Sequence, residues 1–255
     1  MVRLFALLYA VVAYAIGMGS LAVLGAFLLG FDPLARPAWP VSVTAVAVDL
    51  ALIGLFGLQH SIMARPAFKR AWTRVVPAAI ERSTFVLASG VALGMLLWWW
   101  RPLEGELWNA SGAALAAVGA AFALGALILV GATFMIDHFE LFGLKQAWRV
   151  RDARGGPAEF RVVLLYRLVR HPIMLGMLVM LWAAPRMTLD HLVLSLGLTA
   201  YILVALHFEE RDLEHEHGQA YRRYQRTVPR LLPLPRLGVR TVAEEVGARP
   251  SGPGA

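Results

Sequence analysis

Residues 5–29 run without one charged side chain, and three further stretches come close to repeating the pattern. Residues 41–63 are broken only by Asp49, and residues 84–100 and 110–136 carry no charge at all. A helix needs about 20 apolar residues to cross the hydrocarbon core of a bilayer, and each of these runs is about that long. Composition agrees, with 58% hydrophobic and 16% charged residues, against roughly 25% charged in a soluble domain. So much apolar surface has no place inside one soluble core. The chain reads as an all-α, polytopic membrane bundle with no strand and no internal repeat.

The last apolar pair differs from the first four. Residues 173–184 are too few to span alone, residues 185–190 read as a turn, and residues 192–208 return. This pattern predicts four spanning helices followed by a tight helical hairpin. Residues 1–238 form one domain in this reading, with 170–233 as its functional hairpin and tail, and 239–255 as a disordered end.

Loop charges orient the bundle. Arg65, Lys69, Arg70, Arg74 and Arg82 follow the second span, and Lys145, Arg149, Arg151, Arg154, Arg161, Arg167 and Arg170 follow the fourth. The alternate loops hold only Arg36 and Arg101. Basic loops stay on the cytoplasmic side, which places the N-terminus, both basic loops and the tail there. The net charge of +7 is read as these loops lying beside anionic lipid, not as a nucleic-acid surface. The first run is longer than the apolar core of a signal peptide and reads as a retained helix. With no cysteine, disulfides, thiolate-bound zinc and Cys nucleophiles are excluded. No metal is expected.

Polar groups at the bilayer edge are costly and call for a reason. "LQHSIMARPAFKR", "IERSTF", "DHFELFGLKQAW", "RHP" and "HFEERDL" all fall at the basic ends of predicted helices. Together they outline a site open to the cytosol and roofed by lipid. Pro172 suits the first position of a helix, where its missing N–H is not needed. Arg170 and His171 then stand at a helix N-terminus, which favours an anionic group. A tight hairpin sets them opposite Glu209, Glu210 and Arg211. Tyr221 and Tyr224, three apart, share one helix face, after Gly218 and before Pro229. Asp49 reads as a partner for another helix, and His191 as an inert turn residue. "GALILVG", residues 125–131, is the one weak hint of a helix-dimer face.

"RHPIMLG", a hairpin, then "EERDL…HGQAYRRYQRTVPRLLP" resembles the C-terminal signature of the isoprenylcysteine carboxyl methyltransferase superfamily. It covers Arg170 to Pro233. With "LQHSIMARPAFKR", "IERSTFVL" and "DHFELFGLKQ" added, the chain resembles more narrowly the bacterial methanethiol S-methyltransferases, relatives of the NnrU-like membrane proteins, over Gln59 to Pro233. Met174 departs from the prenylcysteine enzymes, which often have an aromatic residue there, and this argues against a long prenyl substrate.

The resemblance implies methyl transfer from S-adenosylmethionine to methanethiol, giving dimethyl sulfide. The sequence has no Gly-rich strand–loop–helix of the doubly wound kind, so a nucleoside cofactor would be held by helix mouths. In that reading Arg170, His171, Glu209, Glu210, Arg211, Tyr221 and Tyr224 bind cofactor. A thiol must become a thiolate to attack, and His171, His60 and His138 are the candidates to activate it, with Glu209 beside them. Other readings share these residues: a transport or assembly protein like the NnrU relatives, a transferase for another thiol, an amine or a lipid, and a di-iron oxidase using "HFEERDLEHEH". Isolated histidines in place of paired His boxes argue against the last. Oligomeric state is left open.

Overall fold

The computed structural model describes residues 2–32, 34, 36–149 and 162–233. The expected tail at 239–255, and Arg151, Arg154 and Arg161, lie outside these residues. Among the described residues five helices are long and apolar enough to span: α1 (Val2–Leu28), α2 (Val43–Ala64), α4 (Glu81–Trp99), α5 (Gly112–Ile136) and α9 (Leu189–His217). The protein is an integral membrane protein of the all-α class. Short helices α3 (Pro66–Trp72), α6 (His138–Leu141) and α7 (Leu144–Trp148) fill the basic loops, and α10 (Gln219–Thr227) follows α9.

The hairpin's first arm, α8 (Pro172–Trp182), has 11 residues. At 1.5 Å per residue it rises about 16 Å, half a bilayer. Pro172 opens it at the first helical position, as its ring geometry requires. The second arm differs from the sequence reading, because α9 does not end at the two glutamates. It continues to His217 and stops at Gly218, whose φ of 56° breaks the helix. The "HFEERDLEHEH" segment is polar but rich in good helix formers, so it extends the spanning helix beyond the apolar core instead of ending it.

Two strands correct the expectation of none. β1 (Glu106–Asn109) and β2 (Arg186–Thr188) pair antiparallel with an irregularity between Glu106 and Trp108. Residues 186–188, expected in a turn, tie the hairpin's bend to the loop after α4. Because α1, α4 and α8 all start at one end of the bundle, that end is called here the mouth, and the strand pair marks the far end.

α1 packs on α4 and α5 on α8. Both contacts are close because glycines face backbone. A Cβ on Gly176 would fall 2.6 Å from Gly125 O and from Leu129 N. The Gly125 face is thus occupied within the chain, and Gly131 meets nothing. The main core joins Leu24, Phe27 and Leu28 of α1, Ile53 of α2, Leu93 and Leu96 of α4, Phe122 of α5, Leu181 of α8, and Leu194, Leu198, Ile202 and Leu206 of α9. Asp49 is fully buried beside this core, and its Oδ1 accepts a bond from the Arg101 amide at 3.0 Å. Its partner is therefore a loop backbone and not a helix side chain.

Candidate active site

One spacing builds the site. Seven residues are two helical turns less about 20°, so a residue seven positions from a core residue keeps its face and moves about 10 Å along the axis. From Leu21, Ile53, Leu96, Leu178 and Ile202, all in or packed on the main core, a seven-residue step toward the mouth reaches Tyr14, His60, Ser89, His171 and Glu209. Five elements thus exchange apolar for polar side chains at about the same height. The result is a polar layer toward the mouth above an apolar floor, within which His60 meets Ser89 and His171 faces Glu209.

At the α8–α9 side the two glutamates are engaged differently. Glu210 Oε1 accepts from Arg170 Nη2 at 3.0 Å and His171 Nε2 at 3.1 Å, while Oε2 takes the guanidinium of Arg230 through Nε at 3.0 Å and through Nη2. Three cation-forming groups saturate one buried carboxylate, and the Arg230 guanidinium is held above its ordinary pKa by that carboxylate. Glu209 sits 100° further round the helix, with its side chain 45% exposed, and among the described residues its ion-pair partner is His171 Nδ1, at 3.9 Å. Arg211 is exposed and does not join the expected cross-hairpin set.

The tail closes over this cluster. Arg170 N donates to Pro229 O at 2.9 Å and His171 N to Arg230 O at 3.2 Å, and Leu231 packs on the main core. No side chain caps the N-terminus of α8, so its first-turn amides, those of Ile173 and Met174, face the mouth. Tyr221 and Tyr224 form a small core with Val228, Val162 and Leu213. Tyr224 Oη donates to Tyr166 O at 2.5 Å, and burial pushes both phenols above their usual pKa. Their rings hold the tail in place from within it.

The other two histidines lie across the layer. His138 Nδ1 meets Thr133 Oγ1 at 2.8 Å and Nε2 meets Tyr14 Oη at 2.9 Å, with Phe134 stacked at 4.2 Å. Burial lowers its pKa, against the pull of Asp137. Asp137 itself takes a left-handed φ of 107°, caps α6 through Glu140 N and pairs with Lys145. His60 Nδ1 meets Ser89 Oγ at 3.0 Å among the rings of Phe56, Phe85 and Tyr201. Further out in the mouth, Arg65 binds Asp212 at 2.9 Å and fastens α2 to α9.

The comparisons with known proteins fit this arrangement. The NnrU protein family matches residues 48–243. The chain belongs to the NnrU family. Methanethiol S-methyltransferase 2 of Bradyrhizobium diazoefficiens is 46% identical over 241 residues, covering 91% of each chain. Methanethiol S-methyltransferase of Mycobacterium tuberculosis is 52% identical over 198 residues, 75% of this chain and 79% of that one. Nurim of Danio rerio is 31% identical over 217 residues, 78% of each. No solved structure matches.

Sequence reasoning named His60, His138, His171 and Glu209 but missed Tyr14, Ser89, Thr133 and Arg230. The seven-residue step from core positions would have found Tyr14 and Ser89. Arg230, in "VPRLLP", gave no local signal, because only the fold of the tail brings it to Glu210.

Proposed function

We propose that this chain methylates methanethiol to dimethyl sulfide with S-adenosylmethionine as donor, in a bacterial inner membrane with its mouth facing the cytoplasm. The observation that carries this is Glu209: a half-exposed carboxylate that makes no hydrogen bond among the described residues and has an imidazole at 3.9 Å, beside a saturated cationic cluster. The names of the relatives support the reaction, and the basic mouth supports the orientation.

The donor carries a carboxylate, an ammonium and a cationic sulfonium, and the residues present suit each. Arg170 and the Ile173 and Met174 amides at the head of α8 would hold the carboxylate. Glu209 would hold the ammonium. When bound, S-adenosylmethionine supplies a methyl group already activated for displacement. The chain's tasks are then to align the acceptor sulfur, exclude water and remove one proton. The apolar floor of the polar layer suits methanethiol, which is small and carries no charge. Glu210 serves indirectly, because it holds Arg170 and Arg230 in place against their mutual repulsion.

Calorimetric titration of detergent-purified protein with S-adenosylhomocysteine tests this, followed by headspace detection of dimethyl sulfide. Micromolar binding and product from methanethiol are expected. A folded protein that binds no S-adenosylhomocysteine refutes the reading.

A further inference from the structure

A thiol that accepts a methyl group must lose a proton, and the hydrogen bonds already made decide which histidine has room for it. His171 Nε2 faces Glu210 Oε1 at 3.1 Å. A carboxylate only accepts, so that nitrogen carries a proton already, and Nδ1 looks toward Glu209. His138 is filled at both positions. Thr133 gives its single hydroxyl proton to Val130 O at 2.7 Å, so it must accept from His138 Nδ1–H, which leaves Nε2 to accept from Tyr14 Oη. In His60, by contrast, Nδ1 meets the Ser89 hydroxyl and Nε2 makes no hydrogen bond to any described residue.

The walls around His60 also suit a small thiol. The ring centroids of Phe85, Phe56 and Tyr201 lie 4.9, 5.6 and 6.5 Å from the imidazole. Sulfur and methyl both pack well against aromatic edges. Gly57 keeps Tyr201 in place, since a Cβ there would come 2.8 Å from Tyr201 Cδ2.

We infer that the cage of Phe56, Phe85 and Tyr201 seats the acceptor thiol, and that His60 Nε2 takes its proton. This rests on the methyl-transfer reading above. The S–H bond breaks toward Nε2, leaving its electron pair on sulfur. That pair forms the new S–CH3 bond, while the methyl's old bond breaks and its pair returns to the donor sulfur. His60 ends as imidazolium, with Ser89 accepting from Nδ1–H, and later yields its proton to water.

The test uses two acceptors, methanethiol and the more acidic trifluoroethanethiol, which needs less help to ionise. General-base catalysis contributes about 10²–10⁴-fold. His60→Asn should therefore lower kcat/KM at least a hundredfold for methanethiol and less than tenfold for trifluoroethanethiol, with S-adenosylhomocysteine affinity within twofold of wild type. Equal losses for both thiols, or no loss, overturn the assignment. If His60→Asn does not fold, Ser89→Ala carries the test. A loss again larger for methanethiol sustains the inference, and equal losses overturn it. A wild-type protein that binds S-adenosylhomocysteine and methylates neither thiol brings down the transfer reading and this inference together. Wild-type turnover with an unaffected His60→Asn brings down the inference alone.

Discussion

Both ends of the α8–α9 hairpin set a histidine beside a carboxylate, and the two ends use the pair in opposite ways. At the far end His191 Nε2 donates to Leu181 O at 3.1 Å, Ser195 donates to the same carbonyl at 2.8 Å, and Trp100 donates to Asp190 at 3.4 Å. Leu181 lies in the last turn of α8, where carbonyls lack helical partners. The polar side chains there finish a helix. A cavity of about 480 Å3 opens beside them, lined by Asp32, Arg36, Glu104, Arg186 and Asp190 among others. Its guanidiniums are engaged as well: Arg36 with Asp32 and the carbonyls of Leu97, Trp98 and Trp100, and Arg186 with Glu106. At the mouth, Glu210 is equally saturated, but among the described residues Glu209 and His60 Nε2 make no hydrogen bond. Incomplete pairing is not confined to the mouth, since Asp49 Oδ2, buried toward the far end, has no hydrogen bond among the described residues; what distinguishes the mouth is that a half-exposed carboxylate and an imidazole stand together there.

Substitutions can break or sharpen this contrast. The largest effect is expected from Glu210→Gln, which strands Arg170, 8% exposed, and His171 without their counter-charge. Removing one partner of a buried pair costs about 3–5 kcal/mol, measurable by denaturant unfolding in detergent. An unchanged midpoint would erase the distinction between the two glutamates. Glu209→Gln should leave stability alone and weaken S-adenosylhomocysteine at least tenfold, about 1.4 kcal/mol, by calorimetry. Ser195→Ala should do the reverse, costing about 1 kcal/mol of stability with turnover untouched. Any loss of dimethyl sulfide formation in a folded Ser195→Ala protein would give the far end a role it lacks here.

The smallest effect concerns pH. His138 is held below its ordinary pKa, so below about 6.5 the unfolded chain binds a proton that the folded chain resists. Its contribution is present above that value and declines as pH falls. The melting temperature should therefore drop on acidification from 7.5 to 5.5, and drop less in His138→Asn.

The spans were legible in the sequence because uncharged runs of that length admit few other readings. The head of α8 was legible because Pro172 tolerates few places in a helix. The end of α9 was legible in part: Gly218 reads as a helix break and is one, but the polarity after Phe208 suggested that the hairpin arm stops at the glutamates, where the helix runs on unbroken. The strands were too short, at four and three residues, to show alternation. Within the site, Glu209 and Glu210 are indistinguishable as letters. Their roles follow from a 100° turn about an axis whose phase only the packed core sets. Tyr221 and Tyr224 shared a face as expected, but Val228, Val162 and Leu213 cover that face.

The strand of tail from Pro229 to Leu231 has a consequence for biosynthesis. It supplies the acceptors for the Arg170 and His171 amides, the second guanidinium on Glu210 and a side chain in the main core. All the spanning helices precede it in synthesis. A nascent chain can therefore be fully threaded into the bilayer while the Arg170–His171–Glu210 cluster is still unassembled. If the proposed site is right, chains stalled or clipped before residue 229 should accumulate as inserted protein that transfers no methyl group, because the cluster around Glu210 closes only when the last described part of the chain has left the ribosome.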